Sequence, residues 1–237
     1  RTLFLTFLLL LSFDLQSQVL REQYHEAPDD AYIPVDRDDM IKGASHKASG
    51  AGFFTTQVNI DIDGNDMIGD AANEPSIALD PTNPNRIVIG WRQFDTIASN
   101  FRQAGNAYSL DGGLSWTFPG VLDPQVFRSD PVLDFDASGN LYYNSLRGNF
   151  ECDVYKITDG GIEWGAPFPA NGGDKQWMRI DKTNGIGAGN NYSYWNVSFT
   201  TCAPGSFTRS IDGSNTFETC VEVDGSPFWG TLAVDAD

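Results

Sequence analysis

Histidine and cysteine, which build many catalytic and metal sites, are scarce in this sequence. There are two histidines and three cysteines in 237 residues. Both histidines, His25 and His46, fall in a polar N-terminal stretch, so neither a histidine-based triad nor a zinc site is expected. No two cysteines have the Cys-x-x-Cys spacing of a zinc or redox site. The sequence also contains no glycine-rich phosphate loop.

Positive charge is scarce as well. The chain has 15 Lys and Arg against 32 Asp and Glu, for a net charge of −17. A nucleic acid or an anionic membrane surface attracts a basic surface, so the composition argues against either as the main partner. The acidic balance favours solubility.

Long apolar runs are absent except at the start of the chain, from Leu3 to Phe13. This run is too short for a bilayer, which needs ~20 apolar residues. It predicts a secretory signal peptide over 1–18, with cleavage near Ser17 or Gln18; a buried helix is the alternative. The protein is therefore expected to be secreted or at the cell surface, with no membrane span once the signal is removed.

The chain begins with Arg1 rather than Met and stops just after an apolar run, which predicts a fragment of a longer protein. The three cysteines fit an oxidising compartment, and one of them must stay unpaired. Cys202 and Cys220 flank one hairpin-like segment and are the predicted disulfide. Cys152 is then left as the free thiol.

Two organisational segments follow the predicted signal. Residues 19–52 are polar and acidic without a sustained period, which predicts a linker or loosely ordered leader. From residue 53 onward, a strand–turn–strand pattern repeats in Asn73–Trp91, Ser129–Leu146 and Gly173–Phe199, and a further copy starts at Asp224. The anchors of the four copies, Pro75, Pro131, Gln176 and Pro227, are separated by 56, 45 and 51 residues.

A second motif recurs in the same rhythm, as "SLDGGLSW", "ITDGGIEW" and "SIDGSNTF". Its aspartates Asp111, Asp159 and Asp212 are separated by 48 and 53 residues. A period of about 50 residues with four short strands is typical of a β-propeller blade. We therefore predict an all-β propeller over 53–237, with three blades and the start of a fourth. A β-sandwich is the alternative, but it would not explain the paired motifs.

This second motif resembles the Asp box, or bacterial neuraminidase repeat, Ser/Thr-x-Asp-x-Gly-x-Thr/Ser-Trp. From about Phe53 onward the chain is similar to secreted Asp-box propellers of the sialidase superfamily. The resemblance implies that the boxes fasten turns on the outer part of the blades, away from the central site. The residues that carry it are Ser109, Asp111, Gly113, Ser115 and Trp116 in the first copy, Asp159, Gly161 and Trp164 in the second, and Ser210, Asp212, Thr216 and Phe217 in the third.

Acidic residues stand at the starts of the repeats, just before the anchors. They are Glu74, Asp130 and Asp174, with Asp224 as a looser fourth. Propellers bind ligands where the innermost strands and their entry loops converge, so these carboxylates are candidate catalytic acids at a common funnel. The alternative is that each one caps its own loop.

Arginines near the blade edges are candidate substrate-binding residues, namely Arg92, Arg128 and Arg179, with Arg102 nearby. Guanidinium groups form bidentate bonds with a carboxylate, such as that of a sialic acid. The Arg-Ile-Pro motif of sialidases is missing from this chain. The nucleophilic tyrosine that the resemblance implies comes late in such propellers and is expected beyond Asp237.

No cofactor is predicted, although two acidic stretches share features with Ca²⁺-binding loops. "DIDGND" (61–66) and "DFDASG" (134–139) have oxygen ligands at alternate positions, but their composition favours turns. The predicted function is an exported sialidase-like, glycan-acting protein, namely an exo-glycosidase that uses a funnel carboxylate. The alternative is a non-catalytic secreted propeller that binds glycans or proteins at the cell surface.

Overall fold

The computed structural model describes residues 29–158, 160, 162–225 and 230–235. The predicted signal peptide, the first ten residues of the predicted leader, Asp159 and Gly161 lie outside these residues. Within them the chain forms β-strands and two short 3₁₀ turns, Arg37–Asp39 and Val197–Phe199, and no α-helix. The strands are β1 Lys42–Ala44, β2 Lys47–Gly50, β3 Phe53–Thr56, β4 Asn65–Met67, β5 Ala71–Leu79, β6 Ile87–Phe94, β7 Gln103–Ser109, β8 Ser129–Phe135, β9 Leu141–Leu146, β10 Cys152–Ile157, β11 Phe168–Pro169, β12 Trp177–Ile180, β13 Asn191–Tyr194 and β14 Phe207–Ser210.

Consecutive strands from β5 onward form antiparallel meanders, which we call blade 1 (β5–β7), blade 2 (β8–β11) and blade 3 (β12–β14). Blade 2 has four strands. In blades 1 and 3 the place of the fourth strand is taken by short bridges, Tyr108 to Thr117 and Phe207 to Val221. The described residues therefore confirm the predicted all-β propeller class, with each blade formed by one sequence repeat.

The blades pack face to face, and blade 2 is covered on both faces. Every residue of β8 and β9 is buried, including the polar residues of both strands. Gly90 of β6 permits this packing, because a Cβ there would lie 2.6 Å from Leu133 and Tyr143 of blade 2. Burying one large apolar side chain stabilises the fold by ~1.5–3 kcal/mol. The cluster between blades 1 and 2 consists of Ala78, Val88, Ala104, Leu122, Leu133, Phe135, Leu141, Tyr143, Tyr155 and Ile157.

The part of the predicted leader that the structure describes is not loosely ordered. β1 pairs with β4, and β2 pairs with β3. Arg37 forms ion pairs with Asp70 at 3.0 Å and Asp95 at 3.4 Å, at the two ends of the β5–β6 hairpin. The polar composition of this segment reflects side chains that bond to blade 1 rather than a lack of structure.

Aspartates close the hairpin turns between the first two strands of the blades. Asp80 and Asp181 each accept bonds from the backbone N–H and the hydroxyl of a threonine two residues later. Asp136 accepts the backbone N–H of Ser138 at 2.8 Å and of Asn140 at 2.9 Å. These are Asx-type turns, in which a side chain replaces a backbone acceptor.

Both acidic stretches that share features with Ca²⁺-binding loops, 61–66 and 134–139, contain such turns. Asp61 accepts from the backbone N–H groups of Asp63 and Asn65, in the pattern that Asp136 shows with its own loop. Lys42 lies 3.0 Å from the Asp61 carboxylate. Among the residues that the structure describes, no group of three or more His, Cys, Asp or Glu side chains is placed to hold a metal.

The first Asp box joins the third strand of blade 1 to its outer edge. Ser115 donates to Asp111 through its N–H at 2.9 Å and its hydroxyl at 2.6 Å. Ser109 Oγ donates to Asp111 at 2.7 Å and accepts the Gly113 N–H at 2.8 Å. Gly113 has φ +92°, which only glycine adopts easily. These bonds lower the pKa of Asp111 to about 2.

The third copy forms the same turn despite its substitutions. Thr216 donates to Asp212 through its N–H at 3.0 Å and its hydroxyl at 2.7 Å. Ser210 Oγ accepts the N–H of Ser214, which takes the place of the motif glycine with φ +64°. The hydrogen-bond pattern therefore depends on Ser210, Asp212 and Thr216 more than on the glycine.

The aromatic residue of the motif serves packing in all three copies. Trp164 packs edge-on against Tyr143, with the ring centres 5.7 Å apart, in the cluster between blades 1 and 2. Phe217 packs against the cluster between blades 2 and 3. Trp116 packs against Trp91, Ala107 and Phe118 on blade 1. In blades 2 and 3 the Asp-box aromatic thus reaches the boundary with the preceding blade.

Cys202 and Cys220 form a disulfide, and Cys152 is a buried free thiol. The disulfide joins the loop before β14 to the segment after it, at one end of blade 3. Within the part of the chain that the structure describes, no helix has the length and apolarity that a membrane crossing requires.

The Asp-box turns predict a specific pH dependence of stability. Their aspartates have a pKa of about 2 in the folded chain, against an ordinary value of 3.8. Their stabilisation is therefore complete above pH 4 and is lost as the pH falls towards 2. We expect Asp111→Ala to lower the free energy of unfolding at pH 7 and to have little effect near pH 2, as measured by urea denaturation.

Asp63→Ala is the matched control, because Asp63 is an exposed turn aspartate whose side chain accepts no hydrogen bond within the described residues. It should change the free energy of unfolding little at either pH. An Asp111→Ala effect that is equally large at pH 7 and pH 2 would contradict this account of the turn.

Candidate functional site

The starts of the innermost strands share an unusual backbone conformation. Glu74, Asp130 and Lys175 have φ values of +49°, +48° and +54°. Positive φ is uncommon outside glycine and costs of order 1–3 kcal/mol when the surrounding structure imposes it. In blades 1 and 2 the pairing register shifts at this point, so the residue leaves the ladder. Each of the three repeats therefore places one residue with this backbone conformation at the same end of the sheets.

The third of these residues corrects the sequence prediction. Lys175, and not Asp174, precedes the anchor Gln176 and has the backbone conformation of Glu74 and Asp130. Asp174 is buried one residue earlier, where its carbonyl accepts the Asn196 N–H at 2.9 Å. The carboxylates at the first two strand starts predicted a carboxylate at the third as well, but the third strand start carries a lysine.

Lys175 joins the two carboxylates into one cluster, which we call the Lys175 cluster (Glu74, Asp130 and Lys175). Its ammonium lies 2.9 Å and 3.0 Å from the Glu74 oxygens and 3.4 Å from Asp130 Oδ1. The Lys175 backbone N–H donates to Asp130 Oδ2 at 3.0 Å. Residues 101 positions apart in the chain thus meet at one point.

The surroundings of Asp130 favour its ionised form. Burial raises its pKa, but the Lys175 charge, the Ser129 hydroxyl, the Lys175 N–H and the Arg92 charge together bring the pKa below the ordinary value. Burial also acts against the charged form of Lys175 and so lowers its pKa. The interactions with Asp130 and Glu74 outweigh this effect of burial, so the pKa of Lys175 is raised. A carboxyl group whose pKa is lowered is a poor proton donor at neutral pH. The structure therefore argues against Asp130 as the general acid.

Arg92 supplies a second cation beside Glu74. Its guanidinium lies 3.2 Å from Glu74 Oε1 and donates to Asn73 Oδ1 at 2.7 Å. Glu74 is the more accessible carboxylate of the cluster, with its side chain 38% exposed against 6% for Asp130. Glu74 is therefore partly exposed to solvent and contacts two cations, Lys175 and Arg92.

The cluster lies at one side of an open cleft of about 420 Å³. The cleft combines Glu74, Asp130 and Lys175 with Trp177 and Arg179 of β12. Trp177 is half-buried and packs partly against the cluster between blades 2 and 3. Within the described residues the Arg179 side chain has no hydrogen-bond or ion-pair partner. The cleft therefore presents an indole ring and a cationic side chain that no described residue neutralises.

The predicted arginines separate into two groups. Arg92 contacts the Lys175 cluster and Arg179 lines its cleft, so both remain candidate ligand-binding residues. Arg128 does not, because its side chain is 2% exposed and forms ion pairs with Asp153 at 2.6 Å and Asp123 at 2.7 Å. Its guanidinium also lies 5.2 Å from the centre of the Tyr155 ring. Arg128 is a structural residue of blade 2, not a ligand-binding one.

The Arg128 environment predicts a large stability effect. Arg128→Leu removes one of the two arginines that pair with the buried carboxylate of Asp153. Breaking such a buried pair costs ~3–5 kcal/mol. Arg209→Leu is the control, since Arg209 pairs with Glu218 at 2.8 Å and both side chains are nearly half exposed. We expect it to change the free energy of unfolding far less, because an exposed ion pair contributes little to stability. Urea denaturation of both variants checks this order, and equal losses would contradict it.

Comparison with known proteins gives distant structural likenesses. No protein-family model matches the chain, and no curated protein matches it. Among solved structures, it is similar to an exo-beta-1,3-galactanase from Phanerochaete chrysosporium, crystallised with beta-1,3-galactotriose. The identity is 12%, the TM-score is 0.47, and the match covers 77% of this chain and 44% of that chain. A protein of unknown function from Dyadobacter fermentans matches with 16% identity and a TM-score of 0.33, over 64% of this chain and 71% of that chain. This chain thus spans less than half the length of the galactanase.

Proposed function

We propose that this is an exported glycan-acting protein that binds a carboxylate-bearing sugar in the cleft beside the Lys175 cluster. The observation that carries the proposal is the position of Arg179, which lines the cleft and has no partner within the described residues. A guanidinium binds a planar carboxylate through two parallel hydrogen bonds, which gives both affinity and orientation.

The local charge balance supports an anionic ligand. The cluster and its neighbours contain three cations, Arg92, Lys175 and Arg179, against two carboxylates, Glu74 and Asp130. The net charge of the whole chain is −17, so this site departs from the general charge of the protein. Because Glu74 and Asp130 already neutralise Lys175 and Arg92, Arg179 remains for the ligand.

Trp177 supplies the apolar part of the site. A sugar ring has one apolar face, and aromatic side chains in binding sites pack against such faces while polar groups fix the orientation. Trp177 lies two residues before Arg179 on β12, and alternate residues of a strand point to the same face. One strand therefore provides a stacking surface and a carboxylate ligand on the same side.

Export is part of the proposal and rests on two features. The sequence predicts a signal peptide over 1–18, and Cys202 and Cys220 form a disulfide. Disulfides persist in oxidising, extracytoplasmic environments and are rare in reducing ones. Both features favour a secreted or cell-surface location, where glycans are available as ligands.

Binding without catalysis is the form that the geometry supports best. The pKa of Asp130 is lowered, and Glu74 contacts both Lys175 and Arg92, so neither carboxylate lies in the apolar surroundings typical of a general acid. An exo-glycosidase remains the second candidate, favoured by the exposure of Glu74 at the cleft surface. In that case Glu74, rather than Asp130 or Asp174, is the proton donor.

The binding proposal predicts that Arg179→Ala weakens binding of acidic oligosaccharides by about tenfold or more, the value of a lost charge-assisted hydrogen bond. Binding to matched pairs of acidic oligosaccharides and their reduced, neutral counterparts is measured by calorimetry. Arg209→Ala is the control, since Arg209 pairs with Glu218 at 2.8 Å and lies outside the cleft lining. Equal affinity of the protein for the acidic and neutral members would contradict the proposal.

The hydrolase candidate predicts that Glu74→Gln lowers kcat by ~10²–10⁴ on fluorogenic glycosides, as expected for loss of a proton donor. Glutamine keeps the shape of the side chain, so the binding affinity for intact glycosides should change far less. Absence of turnover by the unmodified protein on a broad panel of sialosides and other glycosides would remove this candidate and leave the binding function.

A further inference from the structure

A chain of hydrogen bonds runs from Asp130 away from the cleft. Ser129 Oγ donates to Asp130 Oδ1 at 2.7 Å, and the same Ser129 oxygen accepts the Arg102 Nε proton at 3.1 Å. A serine hydroxyl has one proton and can point it in several directions. Because Arg102 donates to the oxygen, the hydroxyl proton is directed to Asp130 and not elsewhere.

Arg102 is itself held by several contacts. Its Nη1 donates to Asp29 at 2.8 Å and to the Asn100 carbonyl at 3.2 Å. Its guanidinium carbon lies 4.4 Å from the centre of the Phe127 ring, which adds a cation–π contact. The side chain is 13% exposed. The guanidinium is therefore fixed between the N-terminal segment, the loop before β7 and the segment before β8.

We propose that Arg102 and Ser129 are positioning residues that orient the Asp130 carboxylate and thereby hold Lys175 in the cluster beside the ligand-binding cleft. The inference rests on the proposed function only for its effect on ligand affinity. With Oδ1 directed by Ser129, Oδ2 of Asp130 accepts the Lys175 N–H, and the Lys175 ammonium bridges to Glu74. The relay crosses from blade 1 through blade 2 to blade 3.

The relay has a consequence for Asp130 that needs no ligand to measure. The charged and titratable groups around Asp130 are Lys175 at the start of blade 3, Arg92 of β6, Glu74 through Lys175, Arg102 through the Ser129 hydroxyl, and the buried Cys152 thiol of β10. The Ser129 hydroxyl is among the interactions that lower the pKa of Asp130 against the effect of burial. Its removal leaves these charges in place but takes away one bond to the ionised form, so the pKa of Asp130 should rise.

The first arm of the experiment is a ¹³C NMR titration of the Asp130 carboxyl in the whole chain. Ser129→Ala should raise the pKa of Asp130, and Ser129→Thr, which keeps the hydroxyl, should restore the native value. Ser145→Ala is the matched control, because Ser145 is a fully buried serine in the same blade whose hydroxyl has no partner within the described residues. An unchanged Asp130 titration in Ser129→Ala would overturn the proposal.

The second arm tests whether Arg102 acts through Ser129. Arg102→Lys, which keeps the positive charge but removes the guanidinium Nε donor, should raise the pKa of Asp130 in the same direction, and combining it with Ser129→Ala should add nothing further, since both variants break one chain. Additive shifts would show that Arg102 acts independently and would overturn the relay.

The third arm joins the relay to the cleft. Ser129→Ala should weaken binding of the acidic oligosaccharides by about tenfold, in line with the value of a hydrogen bond to a charged group, while Ser145→Ala leaves the affinity unchanged. If Ser129→Ala shifts the titration but the unmodified protein binds no acidic oligosaccharide, the relay stands and the proposed function fails. If the protein binds and Ser129→Ala changes neither property, the relay fails alone.

Discussion

The face-to-face packing of blade 2 between its neighbours is the constraint on which the rest of the structure depends. β5 packs against β8, and β8 packs against β12, so the innermost strands of successive blades lie side by side. All residues of β8 are buried in this arrangement. Because the strands are aligned, their first residues meet at one end. The packing of apolar side chains thus brings charged residues from three repeats together, although no apolar residue takes part in the Lys175 cluster.

This packing also explains why a charge cluster can exist at a half-buried position. Asp130 is buried, and a buried carboxylate without a partner costs several kcal/mol. Lys175 comes from the next blade and Arg92 from the previous one, so the compensation is available only when the blades are stacked. The strained backbone at the three strand starts is held by the same contacts. The geometry of the Lys175 cluster and the stability of the fold are therefore coupled at this end of the sheets.

Polar contacts between residues close in sequence could be predicted, whereas polar contacts between distant residues could not. Asp111 and Asp212 close turns by bonding to residues at most four positions away, on the outer side of the blades. Their spacing was readable from the sequence because every contact is local. Arg128 was misread for the opposite reason: its partner Asp153 lies 25 residues later, and nothing in the local sequence marks the pair. The leader was misread in the same way, since Arg37 finds Asp70 and Asp95 only in the folded chain.

The sequence by itself determined the repeat, its period, the all-β class and the end of the sheets where polar groups gather, because each follows from strand alternation and short-range turn chemistry. It also singled out Glu74, Asp130, Arg92 and Arg179 as candidates, and the folded chain brings these four residues to one cluster and cleft. Only the tertiary structure decided that Lys175 occupies the third place, that the surroundings of Asp130 lower its pKa and that Arg179 lines the cleft. Those properties depend on distances and burial between residues as many as 101 positions apart, which side-by-side blades set and a linear pattern does not record.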